Sequence, residues 1–119
     1  FAIDVITHND VLEEELTSIK LRAIFSGRVK QWQNGKPVIV VMLGYHDPLH
    51  IQFCNQTLGV YPRHILRSWE RSVFSGTGRK PIIVKTEQEL IKTVKDTPNA
   101  VGYVETAENL EGIDVIKIK

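Results

Sequence analysis

The chain has 119 residues, a length that fits one domain with a core of its own and no need of disulfide or metal staples. Apolar residues make up 42% and charged residues 24%, which excludes intrinsic disorder, and no apolar run approaches the ~20 residues that cross a bilayer. The single cysteine, Cys54, excludes an internal disulfide and a multi-cysteine zinc module, and a net charge of +1 argues against nucleic acid as a partner.

In chain order the pattern alternates strand and helix. Phe1 to Ile6 is apolar apart from Asp4 and reads as a strand. Asn9 to Glu15 is polar and acidic. A helix is predicted around Ser18 to Ser26, with Leu21, Ile24 and Phe25 on its apolar side and Gly27 at the left-handed position that ends it. Val38 to Leu43 is continuously apolar and β-branched, as in a strand covered on both faces. Asp47 followed by Pro48 is a helix start, a side-chain cap before a proline at the first helical position. Leu49, Phe53 and Leu58 line that helix, and Gly59 ends it. Pro62 opens another, with Ile65, Leu66, Trp69 and Val73 at helical spacing and Gly76 as its stop. Ile82 to Val84 is a strand. Thr86 and Glu89 form the capping pattern T-x-x-E before Leu90, Ile91 and Val94. Val101 to Val104 and Ile113 to Ile118 are the last two strands. Strands joined through helices imply crossover units, so the predicted fold is α/β: one domain, 1–119, a three-layer sandwich around a mostly parallel sheet of about five strands. In such sheets ligands sit at the carboxyl ends of strands. That rule directs attention to Thr7-His8-Asn9 after the first strand and to Gly44-Tyr45-His46-Asp47 after the second.

Charge is segregated along the chain. Residues 1–19 hold five acids and no base, residues 20–36 five bases and no acid, and residues 61–85 six bases against Glu70. A local basic face is compatible with the near-zero total, and anions are its natural partner. Arg63, Arg67 and Arg71 repeat at i, i+4 and i+8, the pattern of a solvated helix face. Ser75-Gly76-Thr77-Gly78-Arg79-Lys80 is rich in glycine and hydroxyls but lacks P-loop spacing, and reads as a helix end and turn. His46 and His50 flank Asp47, but Pro48 leaves His46 outside the helix, so no metal site is assigned. His8 meeting His46 across strand ends is an alternative cluster that binds an anion when protonated. Cys54 has no base nearby in sequence and reads as a packed small residue. Trp32 and Trp69 read as core anchors. No nucleophile–base or paired-carboxylate constellation is present, so the chain is not read as an enzyme, and no cofactor is implied.

Four segments carry a family resemblance. Leu21, Ile24-Phe25-Ser26-Gly27, Val29 and Trp32 resemble the "IFxGxIxxW" segment of phosphate ABC-transporter substrate-binding proteins. Pro48-Leu49, Phe53 and Leu58-Gly59 are similar to the helix after that family's second strand. Trp69, Val73-Phe74-Ser75-Gly76-Thr77-Gly78 and Pro81 resemble the "W…vFtGkG…P" run of a short, single-domain branch. Asn99 to Val104 resembles its "pgaIGYV" strand. The resemblance implies a lobe of the type II periplasmic-binding-protein fold and a periplasmic location; the apolar start at Phe1 without an initiator Met suits a mature chain whose signal peptide was removed. It implies an oxyanion such as phosphate as ligand, and a transporter or another periplasmic protein as partner. Thr7, His8, Asn9, Tyr45, His46, Asp47 and His50 are then the candidate anion-binding residues. Two departures stand out: Asp47 occupies the place of a small hydroxyl residue, and His50 that of an arginine. A carboxylate where an anion should sit is repulsive, which points to weak or lost binding. The alternative is a protein-interaction module that keeps the fold without a small-molecule ligand, marked by an exposed apolar patch.

Overall fold

The computed structural model describes residues 3–74, 76, 80–105 and 111–119. Its elements in chain order are β1 (Asp4–His8), β2 (Glu15–Leu16), α1 (Ser18–Phe25), β3 (Ile39–Leu43), α2 (Pro48–Gln52), a π-helical segment (Phe53–Leu58), α3 (Pro62–Phe74), β4 (Ile82–Val84), α4 (Glu87–Asp96), β5 (Ala100–Val104) and β6 (Ile113–Ile118).

The strands form one sheet in the order β2-β6-β1-β5-β3-β4. Three pairings are parallel: β2 with β6, β3 with β4, and β3 with β5. β1 runs antiparallel to both of its neighbours, β5 and β6. The α/β class and the mostly parallel sheet therefore agree with the sequence, with one strand more than expected. The extra strand is β2, two residues inside the acidic stretch, anchored by the buried Leu16 whose carbonyl accepts from Lys119 N at 2.9 Å. The first strand extends to His8 rather than ending at Ile6, because Val5, Ile6 and Thr7 are all buried between β5 and β6. Phe1 and Ala2 lie outside the described residues, as do Ser75 and Thr77 to Arg79 of the glycine-rich turn.

β5 shows how the layers form. Its side chains alternate between the two faces of the sheet. A Cβ on Gly102 would lie 2.7 Å from Leu90 Cδ2 and 3.0 Å from Val94 Cγ2, so the glycine lets α4 close on that face. Tyr103, the next residue, points the other way and stacks on Phe53 with ring centroids 4.1 Å apart. Phe25 of α1 packs edge-on against Phe53 at 4.9 Å, so α1 and the π-helical segment make the third layer. α3 is fastened to the end of α1: Trp69 Nε1 donates to Phe25 O at 2.7 Å, and Ser68 Oγ donates to Ser26 O. Trp32 is buried and donates to Asn99 O at 3.0 Å, so both tryptophans are core anchors.

The local start and stop signals act as the residues imply. Thr86 Oγ1 accepts from Glu89 N at 3.1 Å. Glu89 returns a contact one residue earlier than a standard capping box, accepting from Lys85 N at 3.3 Å. Gly59 takes φ 72° and ends the helix begun at Pro48, whose second half widens into a π-helix and receives Val60 N on Cys54 O at 3.0 Å.

Candidate functional site

The two predicted loops do not form one site. β5 runs parallel to β3, with Ile39 beside Ala100 and Val40 beside Val101. β1 runs the other way, with Asp4 beside Val104 and Thr7 beside Val101. The carboxyl end of β1 therefore lies with the amino ends of β3 and β5, while Tyr45 to His50 follow the carboxyl end of β3. The mostly parallel sheet expected from the sequence put both loops at one end, but β1 is antiparallel to both of its neighbours, which separates the loops by the length of a strand. The same reversal removes the His8–His46 cluster.

At the first end, Thr7 is not in a loop. It is fully buried inside β1, and its hydroxyl has no hydrogen-bond partner among the described residues. His8 ends the strand, with Nδ1 2.8 Å from Asp10 Oδ1. The same Asp10 oxygen accepts from Asn99 N at 3.0 Å, which ties this turn to the start of β5. Asn9 is exposed.

At the second end, the chain's own groups close the turn and cap the helix. Gly44 O accepts from Asp47 N at 2.9 Å, which closes the turn after β3. Asp47 then caps α2: its Oδ1 accepts from Leu49 N at 2.9 Å. Pro48 has no N–H to offer. The amide that would face an anion at this helix start is thus held by a resident carboxylate. Tyr45 is half-buried, its ring edge-on to His50 at 5.4 Å, and His46 is exposed. Burial raises the Tyr45 hydroxyl above its ordinary value of 10.0, and the charge of Glu70 adds to the rise.

His50 turns inward. It is 1% exposed. Its Nδ1 lies 2.5 Å from Tyr103 Oη, and its Nε2 lies 3.5 Å from Cys54 Sγ. Tyr103 Oη also accepts from Leu43 N at 2.9 Å. With one oxygen lone pair taken by Leu43, the tyrosine proton goes to His50 Nδ1. The histidine is then the neutral tautomer with its hydrogen on Nε2, directed at the Cys54 sulfur. Burial lowers His50 from 6.5 to about 4, against the smaller opposing effect of Asp47. Burial also pushes the Cys54 thiol up to about 12 and the Tyr103 hydroxyl well above its ordinary 10.0. The cluster is neutral throughout and has no charge to offer an anion.

Sequence reading singled out His50 but not its partners. Tyr103 was visible only as a strand residue, and Cys54 only as a small residue beside an apolar stripe. The available signal was the i, i+4 spacing of His50 and Cys54 on a helix whose neighbours are apolar. Among the described residues no group of three or more His, Cys, Asp or Glu side chains could hold a metal ion, and no helix is long and apolar enough to cross a membrane.

No protein-family model matches the sequence, and no curated protein sequence matches it. Solved structures do. A phosphate ABC-transporter substrate-binding protein from Clostridium perfringens with bound phosphate superposes with a TM-score of 0.78 at 18% identity, over 98% of this chain and 44% of its own. PstS from Borrelia burgdorferi gives 0.78 at 16% identity, over 99% and 47%. An ABC-type phosphate transport receptor from Vibrio cholerae gives 0.75 at 13%, over 98% and 45%. The chain spans less than half the length of these proteins, and its fold is that of slightly under one half of a phosphate-transport substrate-binding protein.

Proposed function

We propose that this chain is a periplasmic, solute-binding-protein-like module that keeps one lobe's fold and no longer holds phosphate at the strand end. The observation that carries this reading is the inward-facing His50, paired with Tyr103 while Asp47 occupies the helix start. An arginine at that place would bring a permanent cation and a fork of donors to the anion. A neutral, fully buried histidine brings neither. A bound phosphate would also have to approach the Asp47 carboxylate, a like-charge contact that is costly in a partly dry site. The reading is one of binding rather than catalysis.

Backbone amide spectra recorded during a phosphate titration test it. Resonances of Gly44 to Ile51 should stay in place at millimolar phosphate. A saturable movement of those amides would overturn the reading. The double variant Asp47→Ser with His50→Arg should gain a response there, since it returns a hydroxyl and a cation to the site.

An apolar groove at this end favours the interaction-module alternative. Tyr45, Leu66, Val73, Phe74, Pro81 and Ile83 line it, with Phe74 95% exposed and Ile83 46% exposed. On this reading the module works by docking on a protein partner, a transporter component or another periplasmic protein. Sedimentation gives the check: a concentration-dependent dimer abolished by Phe74→Ser makes the groove a self-association face, whereas a monomer leaves it for a different protein.

A further inference from the structure

The residues between α1 and β3 fold into a short hairpin. Gln31 pairs antiparallel with Pro37. Trp32 N donates to Lys36 O at 2.8 Å, Gly35 N to Trp32 O at 2.9 Å, and Val38 N to Lys30 O at 3.0 Å. Hairpin and α3 leave a cleft of about 360 Å³ between them, within the ~300–1,000 Å³ of small-molecule sites. Val29, Pro37, Val38, Val40 and Trp69 supply its apolar walls, and Lys80 lines it just before β4 begins. Among the described residues no acidic side chain lines it.

We propose that this cleft binds an apolar monocarboxylate, with its hydrocarbon against Trp69 and the hairpin and its carboxylate at Lys80. The proposal is independent of the strand-end reading, because the cleft shares no residue with Tyr45 to His50. Three observations support it. First, the walls offer little to a polar ligand. The amides of Trp32, Gly35 and Val38 are held within the hairpin, and Pro37 has no N–H. Trp69 Nε1 donates to Phe25 O at 2.7 Å, which leaves the carbon surface of the indole for the cleft. A polar group entering here would lose water without gaining a partner, whereas a hydrocarbon gains by leaving water. Second, the cleft is preformed. The same hydrogen bonds fix the hairpin and the indole, and a Cβ on Gly27 would lie 3.1 Å from the Trp69 ring, so the ring rests closely on that backbone. A rigid site costs little ordering when a ligand enters. Third, the charge is complementary. Lys30 also lines the cleft but has an interaction of its own. Lys80 is exposed and forms no ion pair among the described residues. One open ammonium beside apolar walls without a carboxylate selects an anion whose remainder is hydrocarbon.

The test is a backbone and indole N–H titration at constant ionic strength with butanoate, hexanoate and octanoate, and with octylammonium and 1-octanol as comparison ligands. The expected result is a saturable movement of Val29, Gly35, Val38, Val40 and the Trp69 indole N–H in the millimolar range. Affinity should rise along the carboxylate series, by up to about fourfold for each methylene that the cleft buries. Octanoate should bind more tightly than octylammonium. Lys80→Gln should weaken octanoate about fivefold and leave 1-octanol unchanged, the signature of a lost charge rather than a lost wall. Lys92→Gln, on α4 and outside the cleft, should change neither. Both lysines are exposed, so both variants are expected to fold. Absence of saturable movement, affinity independent of chain length, or octylammonium binding as tightly as octanoate would overturn the proposal. Equal losses in the two variants would overturn it as well. Movement confined to Gly44 to Ile51 would overturn both this inference and the reading of the strand end as closed to anions. Movement confined to the cleft supports this inference and leaves that reading standing.

Discussion

Acid should destabilise this protein through His50 more than through any other histidine. In the unfolded chain the imidazole takes up its proton near 6.5, and in the folded chain only near about 4. Between those values the unfolded state holds more protons, so folding stability falls as pH falls. The contribution is complete above pH 6.5 and is lost on the way down to about pH 4. A gap of that size corresponds to about 3 kcal/mol at ~1.4 kcal/mol per pH decade. The structure supplies the cause. A proton on Nδ1 would face Tyr103 Oη, which already accepts from Leu43 N and points its own hydrogen at His50. Protonation therefore breaks one hydrogen bond and buries a charge among Tyr103, Tyr45 and Cys54. Urea unfolding at several pH values between 7 and 4 measures the effect, with His50→Asn as reference because its amide can still meet the tyrosine hydroxyl. The other three histidines and the carboxylates are common to both proteins and cancel in the difference. The wild type should lose about 3 kcal/mol more than the variant across this range. Parallel curves for the two proteins would refute the buried, neutral histidine.

Other consequences are smaller. Cys54 is fully buried with its thiol pushed up to about 12, so a thiol reagent should label it only after denaturation. Thr7→Val should be neutral or stabilising by up to about 1 kcal/mol in urea unfolding, because it removes a buried hydroxyl without a partner among the described residues. Gly102→Ala should cost about 1–3 kcal/mol, since the new methyl meets Leu90 and Val94 of α4. Thr86→Ala removes the cap of α4 and should lower stability by about 1 kcal/mol, read from the same transitions.

Much of this architecture is written in local chemistry. Asp47-Pro48, Thr86 with Glu89, Gly27 and Gly59 each act within a turn of their own position, so their roles are legible from adjacent residues. The apolar run Val38 to Leu43 likewise announces a strand covered on both faces. The direction of β1 is different in kind. Nothing in Val5-Ile6-Thr7 says whether its neighbours run with it or against it, because direction depends on strands about 100 residues later. That single unknown split the candidate site into two ends. The burial of His50 was hidden for a related reason. It depends on Tyr103, 53 residues away, receiving Leu43 N and passing its proton on. The four segments resembling phosphate-binding proteins located the fold correctly.

His50 is occupied internally by Tyr103, and its imidazole nitrogen resonances report that most directly. Recorded from near pH 7 down to near pH 5, with and without millimolar phosphate, they should keep the signature of one neutral tautomer with hydrogen on Nε2 and ignore the anion. A His50 that titrates near its ordinary 6.5, or that shifts on adding phosphate, would contradict the account and return this side chain to the anion site.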